Sequence, residues 1–428
     1  MPRVRWTIIF LCFLANTINY VDRANLAVAT PYIEKQLGLD AAVMGVILSG
    51  FFWTYSFMQL PSGWLVDRIG GRISFAFAVT WWSAFTALTA GARSFGAMMG
   101  CRLMLGVGES AAYPTMAKVT SLWFPVRERA LASSIFDSGS RVGAVVALPL
   151  VSWIIAAFDW QTSFVVTGVL GVVWAVVWVF MYRDPERHSG VQPDELRRLE
   201  AERGRPYDKS VHISWASLFR YRTIWGMMLG FFCLNFVIYF FITWFPSYLV
   251  QARGFSLAKL GTLGMLPGLI SIPGGWLGDY ASDALYRRGW SLTAARKTCL
   301  VGGMLLSSVI TLSAFAPSVY VALGCFAIAY ASLAFTAASI WSLPGDVAPT
   351  RAHVASIGGI QNFASNLAGI VTTTFTGVML TITKGSFIVP LTVAGGLCLV
   401  GAAMYLFVVG RIEPLPPLPE RTPGVRAA

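Results

Sequence analysis

Charged side chains inside apolar segments are the feature of this sequence that can do chemistry. Asp22 and Arg23 lie near the middle of an apolar run from Trp6 to Pro31, which is long enough to cross a bilayer at about 1.5 Å per residue. The polar residues close to them are Asn16, Asn19, Tyr20 and Asn25. A charge at mid-bilayer depth costs about 2.5–3.5 kcal/mol on insertion scales, so we expect both side chains to face protein or a wet cavity. A transport site is the favoured interpretation, and a structural ion pair that fixes helix packing is the alternative.

A second apolar segment carries Arg102 and Glu109, which are seven residues apart. On one helix they share a face but lie two turns, about 10 Å, apart, so they cannot pair directly. Asp22 and Arg23 are adjacent, and their side chains diverge by about 100°. We therefore expect a crossed arrangement between helices, with Asp22 toward Arg102 and Arg23 toward Glu109 or the substrate.

A third apolar segment carries Asp137 and Arg141, which are four residues apart. This spacing allows the two side chains to pair along one face of a helix, and a structural pair is the favoured interpretation. The alternative is that Arg141 binds a second carboxylate, which would favour a dianionic substrate such as a dicarboxylic sugar acid or an aromatic diacid.

The composition indicates the kind of protein that positions these charges. The chain has 428 residues, of which 56% are hydrophobic and 12% charged, and this predicts a polytopic helical membrane protein. The six cysteines fall inside apolar segments without metal-ligand spacing, and no nucleophile–base set or phosphate-binding glycine loop lies at a plausible depth. We expect no enzyme activity, no metal and no cofactor.

Twelve apolar segments are separated by polar breaks. They fall at 7–31, 42–66, 74–92, 97–118, 130–156, 162–182, 221–250, 258–280, 297–316, 318–345, 352–380 and 386–410. The predicted fold is an all-α membrane protein with twelve transmembrane helices in two pseudo-symmetric six-helix bundles. The predicted divisions are a first bundle over 1–182, a cytoplasmic linker over 183–222, a second bundle over 223–412 and a disordered tail over 413–428. A short charged helix is expected at Asp194–Glu202.

Basic residues in the loops predict the orientation. Placing both termini in the cytoplasm puts 24 of the 32 Lys and Arg residues on that side. The net charge of +12 is therefore mostly a topology signal, and nucleic-acid binding is not needed to explain it. We expect a multi-pass membrane protein with both termini in the cytoplasm.

The two halves of the chain repeat each other. Pro61–Asp67 reappears as Pro273–Asp279 with five identities in seven positions, and Arg129-Ala130 reappears as Arg351-Ala352. A duplicated six-helix unit is an architecture in which two bundles can rock about a central site.

The first copy of this repeat belongs to a loop that can act as a gate. In the decad Gly63–Arg72, Asp67 can receive a helix N-terminus or an arginine from a neighbour, and Arg68 and Arg72 offer the opposite charge. We expect these residues, with Asp279 in the second copy, to latch one side shut. The alternative is a solvated turn with topogenic arginines.

The decad resembles the cytoplasmic loop signature of the major facilitator superfamily. Within that superfamily, Asn19–Arg23, Arg102–Glu109, Trp123-Phe-Pro and Asn362–Gly369 resemble the anion:cation symporter family. Bacterial members carry galactonate, glucarate, hexuronates or phthalate, and vesicular glutamate carriers and sialin are distant relatives. The resemblance covers essentially the whole chain and implies proton-coupled import of an organic anion. It also implies a location in the bacterial inner membrane and action as a monomer.

The resemblance also implies roles for individual residues. It makes Asp22 and Glu109 proton carriers and assigns Arg23 and Arg102 to the anion. Further side chains that can hydrogen-bond the hydroxyl or carboxylate groups of a substrate are Tyr20, Tyr55, Ser140, Gln361, Asn362 and Asn366. Two alternatives stay open: an exchanger or exporter of small acids, and a membrane sensor that keeps the fold without moving substrate.

Overall fold

The computed structural model describes residues 2–125, 128–188, 190–191, 196–197, 218–349 and 351–416, and this part is helical without a β-strand. The first six transmembrane segments are α1 Pro2–Leu37, α2 Ala41–Ile69, α3 Gly71–Thr89, α4 Phe95–Glu109 and Ala112–Trp123, α5 Arg129–Ala157 and α6 Trp160–Met181. The second six are α7 Arg222–Thr243, Phe245–Ser247 and Tyr248–Ala252, α8 Leu257–Leu263 and Leu266–Arg287, α9 Leu292–Ser307 and Ile310–Ser313, α10 Val319–Val347, α11 Arg351–Ile382, and α12 Ile388–Ala403 and Met404–Val408.

Ten helices of the described residues are long and apolar enough to cross a membrane. The other two segments are α3, which has 19 residues, and α4, which a turn at Ser110 and Ala111 divides into two shorter helices. The twelve segments agree with the predicted number. The predicted domain divisions stay predictions, and most of the linker, with most of the expected charged helix, and residues 417–428 of the tail lie outside the described residues.

Polar caps fix where the even-numbered helices begin. The helices α2, α4, α6, α8 and α10 each start after a serine or aspartate. The side chain of this residue accepts a hydrogen bond from the backbone N–H three residues later. The capping residues are Asp40, Ser94, Asp159, Ser256 and Ser318. These starts share one face of the molecule, which we call the far face. The opposite face, with the start of α1 and the α2–α3 turn, is the termini face.

Large apolar side chains cover the outside of the bundle, whereas charges lie inside it. Phe180 and Phe407 are more than 70% exposed, while Asp22 and Glu109 are at most 1% exposed. This is the reverse of a water-soluble domain, and it suits a protein that is surrounded by lipid.

Helix packing repeats with a period of six helices. In the first set α1 packs on α5, α2 on α4 and α3 on α6; in the second, α7 packs on α11, α8 on α10 and α9 on α12. The two sets meet where α2 packs on α11 and α5 packs on α8, and these two contacts are also equivalent under the same shift. The packing therefore carries the twofold repeat seen in the sequence.

The two sets approach most closely at the far face. A Cβ built on Gly45 in α2 would lie 2.6 Å from the carbonyl oxygen of Thr373 and 3.2 Å from Cα of Gly377, and both of these residues are in α11. Asp137 and Arg141 lie in the half of α5 nearer the termini face, and their side chains are 44% and 42% exposed. The central cavity is thus closed at the far face and open toward the termini face.

Candidate functional site

A buried ion pair joins α1 to α4. Nε of Arg23 donates a hydrogen bond to Oε2 of Glu109 at 2.7 Å, and the two side chains are 9% and 0% exposed. Glu109 is the last residue of the first helix of α4, directly before the turn at Ser110. The predicted contact between Arg23 and Glu109 is present.

Aromatic rings complete the surroundings of the Arg23 guanidinium. Its central carbon lies 4.9 Å from the ring centroid of Tyr20, 4.5 Å from that of Phe51 and 4.8 Å from that of Tyr55. Ring faces attract a cation but accept no conventional hydrogen bond, and Nη2 of Arg23 is buried without a partner. The guanidinium therefore keeps an unused donor. Tyr20 and Tyr55 were predicted near the site from the sequence, whereas Phe51 was missed.

Asp22 faces a different side of α1 from Arg23, because adjacent helical positions are rotated by about 100°. Its carboxylate is 1% exposed, and neither oxygen has a hydrogen-bond partner. Its polar neighbours are Thr167 in α6 and the indole of Trp82 in α3, and the charges of Glu109 and Arg102 in α4 lie within electrostatic range. Asp22 therefore lies near Arg102, as predicted, but does not form an ion pair with it.

A chain of buried hydrogen bonds holds the neighbour of Asp22 in place. Nδ2 of Asn25 donates to Oγ1 of Thr167 at 3.2 Å, and Oγ of Ser163 donates to Oδ1 of Asn25 at 2.8 Å. These contacts tie α1 to α6 and fix the hydroxyl that faces the carboxylate.

Arg102 shares a cavity with Arg23. The cavity is small, about 10 Å³, and lies between α1, α2, α4 and α7. It is lined by Arg23, Leu48, Phe51, Phe52, Arg102, Tyr239, Ile242 and Thr243. Arg102 is 6% exposed, and its Nε has no hydrogen-bond partner. Two guanidinium groups on one small, otherwise largely apolar cavity suit a carboxylate, which can accept several of their N–H groups.

Asp137 and Arg141 form the predicted pair along α5, but the contact is long. Nη2 of Arg141 lies 3.9 Å from Oδ2 of Asp137. The hydroxyl of Tyr113 donates to Oδ1 of Asp137 at 3.0 Å, and Nδ2 of Asn16 reaches that hydroxyl at 3.4 Å. Arg141 also lines a second cavity, of about 50 Å³, between α1, α5, α7, α8 and α10.

The other predicted polar residues mostly bond to nearby backbone or to the opposite bundle. Ser140 donates to the carbonyl of Asp137, Gln361 to that of Ile340, and Asn366 to that of Asn362. Asn362 donates to Oε1 of Gln59 at 3.0 Å, a contact between α11 and α2. None of these four residues lines the two cavities described above.

The predicted gate residues have partners other than those expected. Asp67 lies 3.7 Å from Nζ of Lys118 in α4, so a lysine takes the place of the expected arginine or helix N-terminus. Arg68 stacks on Trp64 at 5.3 Å, and Arg72 donates from Nε and Nη2 to the carbonyl of Val179 near the end of α6.

The second copy of the repeat has two notable carboxylates. Asp279 faces Arg141 across the gap between α8 and α5, within electrostatic range. Asp346 at the end of α10 lies 3.0 Å from Nε of Arg296. Within the described residues, no group of three or more His, Cys, Asp or Glu side chains is arranged to hold a metal ion.

Comparison with known proteins places this arrangement in a family. A family model described as the Major Facilitator Superfamily matches residues 12–373. The chain is 34% identical over 425 residues to the probable galactarate/D-glucarate transporter GudP of Bacillus subtilis, covering 96% of this chain and 93% of that protein. It is 33% identical over 422 residues to the D-galactonate transporter of Escherichia coli, covering 96% and 97%.

A solved structure supports the fold. A bacterial homologue of the human lysosomal transporter Spinster, in an inward-facing and unoccupied conformation, superposes with a TM-score of 0.79 over 96% of this chain and 98% of that chain. At 18% sequence identity this likeness concerns the fold alone. The predicted twelve-helix fold of two six-helix bundles is confirmed.

Proposed function

The chain belongs to the Major Facilitator Superfamily and is a multi-pass membrane transporter for organic acids; on that premise we propose that it imports an organic anion, a sugar acid or a related carboxylate, by proton symport. The buried pair of Arg23 and Glu109 beside Arg102 is the observation that carries the proposal. It places an exchangeable carboxylate next to two cations that face a cavity.

Competition for Arg23 couples the anion to a proton. Glu109 and a substrate carboxylate both need the guanidinium as counter-charge, and the cavity excludes most water. A proton on Glu109 cancels its charge and frees Arg23 for the substrate. When the proton leaves, Glu109 reclaims the guanidinium and the substrate is released. Proton and anion uptake then occur together.

Asp22 is the second proposed proton carrier. Its carboxylate is buried without a hydrogen-bond partner, which is costly for an ionised group and cheap for a neutral one. If both carboxyls load a proton for each monoanion, one net positive charge moves inward. Each such charge gains about 2.3 kcal/mol per 100 mV of membrane potential.

Alternating access supplies the movement. We infer from the basic loops that the termini face is cytoplasmic, so the described conformation opens inward and is closed outside. Rocking of the two six-helix bundles about the cavities would open the far face and expose Arg23 to the outside.

Uptake by purified protein in liposomes tests the proposal. The panel contains aldonates, aldarates, hexuronates and aromatic diacids, each with and without an inward proton gradient. We expect at least one of these acids to accumulate only with the gradient. An exchanger would instead need internal counter-substrate and no proton gradient, and a sensor would bind an acid without moving it.

Variants separate coupling from substrate binding. Glu109→Gln and Asp22→Asn should each abolish gradient-driven accumulation of the transported acid while still allowing exchange of labelled for unlabelled acid. Full accumulation in both variants would refute the assignment of these carboxyls. A flat response of the unsubstituted protein to every anion would remove the proposed function itself.

A further inference from the structure

We propose that Arg141 binds the second carboxylate of a dicarboxylic substrate whose first carboxylate is bound at Arg23 and Arg102. This inference rests on the proposed function and narrows its substrate class to dicarboxylic acids.

The larger cavity offers an anion one cation. Most of its wall consists of apolar side chains and backbone from five helices of both bundles. Its other polar side chains are the hydroxyls of Ser271 and Tyr330. A carboxylate that enters this space finds a single full positive charge, the guanidinium of Arg141, which can form charge-assisted hydrogen bonds with it.

The guanidinium of Arg141 is only loosely held in the described conformation. Its contact with Asp137 is 3.9 Å long, and both side chains are more than 40% exposed. Pairs of this kind contribute little stability. Asp137 keeps the hydrogen bond from Tyr113 when Arg141 moves, so release of Arg141 leaves no unpartnered carboxylate behind.

The two cavities adjoin each other at α7 and at α1. Ile242 of α7 lines both of them, and Ala24, which follows Arg23 in α1, lines the cavity of Arg141. In each cavity a protein carboxylate pairs with the arginine: Glu109 pairs with Arg23, and Asp137 pairs with Arg141. A substrate with a carboxylate at each end can replace both at once, whereas a monoacid replaces one.

Asp279 offers a competing role for Arg141. It faces Arg141 from the opposite bundle, so the two could form a latch that closes the termini face. A latch affects every substrate alike, because it acts on the conformational change and not on the second carboxylate. The comparison of a diacid with a monoacid of the same skeleton therefore separates the two roles.

The test measures competition of unlabelled D-glucarate and D-gluconate against a transported labelled acid in liposomes. These two acids share a six-carbon polyhydroxy skeleton and differ in whether the far end carries a carboxylate. We expect the unsubstituted protein to prefer D-glucarate. Arg141→Gln should lower the ratio of diacid to monoacid affinity about 10- to 100-fold, the effect of losing one charge-assisted contact.

Two further variants act as controls. Arg141→Lys keeps the charge without the planar fork and should recover part of the preference. Asp137→Asn removes the competitor for Arg141 and should raise the preference for the diacid. Thermal unfolding of each purified variant checks that the fold is retained.

The inference is supported if the ratio of diacid to monoacid affinity falls in Arg141→Gln and partly recovers in Arg141→Lys. Either of two results would overturn it and leave the proposed function standing. The first is an equal loss of affinity for both acids in Arg141→Gln, and the second is an unsubstituted protein that transports D-gluconate and shows no preference for the diacid. Failure of the unsubstituted protein to transport any acid overturns the proposed function and this inference together.

Discussion

At the scale of single residues, Arg23 is held by one carboxylate and three ring faces. Glu109 neutralises its charge, while Tyr20, Phe51 and Tyr55 surround the guanidinium within 5 Å. Rings stabilise a cation without using its N–H groups. The guanidinium is therefore stabilised in a dry site and still has a donor for a substrate, a combination that carboxylates alone would not give.

Phe51 tests this description of the site. Phe51→Leu keeps an apolar side chain of similar size but removes the nearest ring face, which is worth about 0.5–2 kcal/mol to a cation. We expect the affinity for the transported acid to fall about 2- to 30-fold, measured as the half-saturating concentration for uptake. Phe51→Tyr keeps the ring face and is the matched control. Equal losses in the two variants would show that packing, not the cation–ring contact, is responsible.

The sequence predicts the charged residues of the site but only some of their partners. Because Asp22 and Arg23 are adjacent, they cannot form a direct face-to-face pair. The sequence then leaves Glu109 or the substrate as the partner of Arg23, and the structure shows the contact with Glu109. The neighbours of Asp22 lie on α3 and α6, and their orientation depends on how each helix is rotated in the bundle. No local motif encodes that rotation. Phe51 was missed because an aromatic residue in an apolar helix usually indicates packing.

At the scale of helices, basic side chains close the ends of equivalent helices in the two bundles. Arg72 at the start of α3 donates two hydrogen bonds to the carbonyl of Val179 in α6. Lys297 in α9 donates to the carbonyls of Leu406, in the last turn of α12, and Val409, directly after it. The last carbonyls of a helix have no partner within the helix, and a cation satisfies both their hydrogen bonding and the helix dipole.

These contacts predict a stability role for Arg72 in addition to its proposed role in the gate. Arg72→Gln should lower the free energy of unfolding by about 1 kcal/mol, because it removes a cation from a helix C-terminus. Thermal unfolding of the purified protein in detergent measures the effect. Arg68→Gln in the same loop is the control, since Arg68 stacks on Trp64 and its loss should cost less. A normal melting temperature with slowed uptake in Arg72→Gln would favour the gate alone.

Segment number was predicted at this scale, whereas the break in α4 was missed. Twelve apolar runs predict twelve segments because spanning a bilayer requires about 20 apolar residues. The turn at Ser110 lies inside one of these runs, and Pro114, four residues later, has no backbone N–H to donate to the carbonyl of Ser110. Ser110 donates to the carbonyl of Val107, and its hydroxyl meets that of Ser62 at 2.5 Å. Such local hydroxyl contacts compete with helix bonds but do not predict a break by themselves.

At the scale of the whole molecule, the repeat was predictable and the conformation was not. The similarity of Pro61–Asp67 to Pro273–Asp279 predicts two equivalent bundles, and the helix packing follows the same period. Inward- and outward-open states of one chain use the same helices and differ by a few kcal/mol. Closure of the far face depends on the contact of α2 with α11. Gly45 and Gly377 allow this close contact, but two single glycines form no sequence motif that predicts it.

That contact predicts how the conformational balance can be shifted. A Cβ on residue 377 would collide with the carbonyl oxygen of Ala41 and lie 3.0 Å from Cα of Gly45, so Gly377→Ala cannot keep α2 and α11 at their present distance. Overpacking of this kind costs about 1–3 kcal/mol, which is enough to change the ratio of two conformations about 5- to 150-fold. The cost applies where the far face is closed and disappears when the bundles separate there. We expect Gly377→Ala to favour the conformation that is open at the far face.

Distances between spin labels at the far face measure this shift. Labels on cysteines introduced at Lys35 in α1 and Ile382 in α11, in a background without the six native cysteines, report the separation of the two bundles. Gly377→Ala should enrich the longer distance. Gly324→Ala in α10 is the matched control, because a Cβ there has no atom within 4 Å. If the distance distribution is the same in both variants, the α2–α11 contact does not hold the far face closed, and closure must come from the packing of α5 on α8.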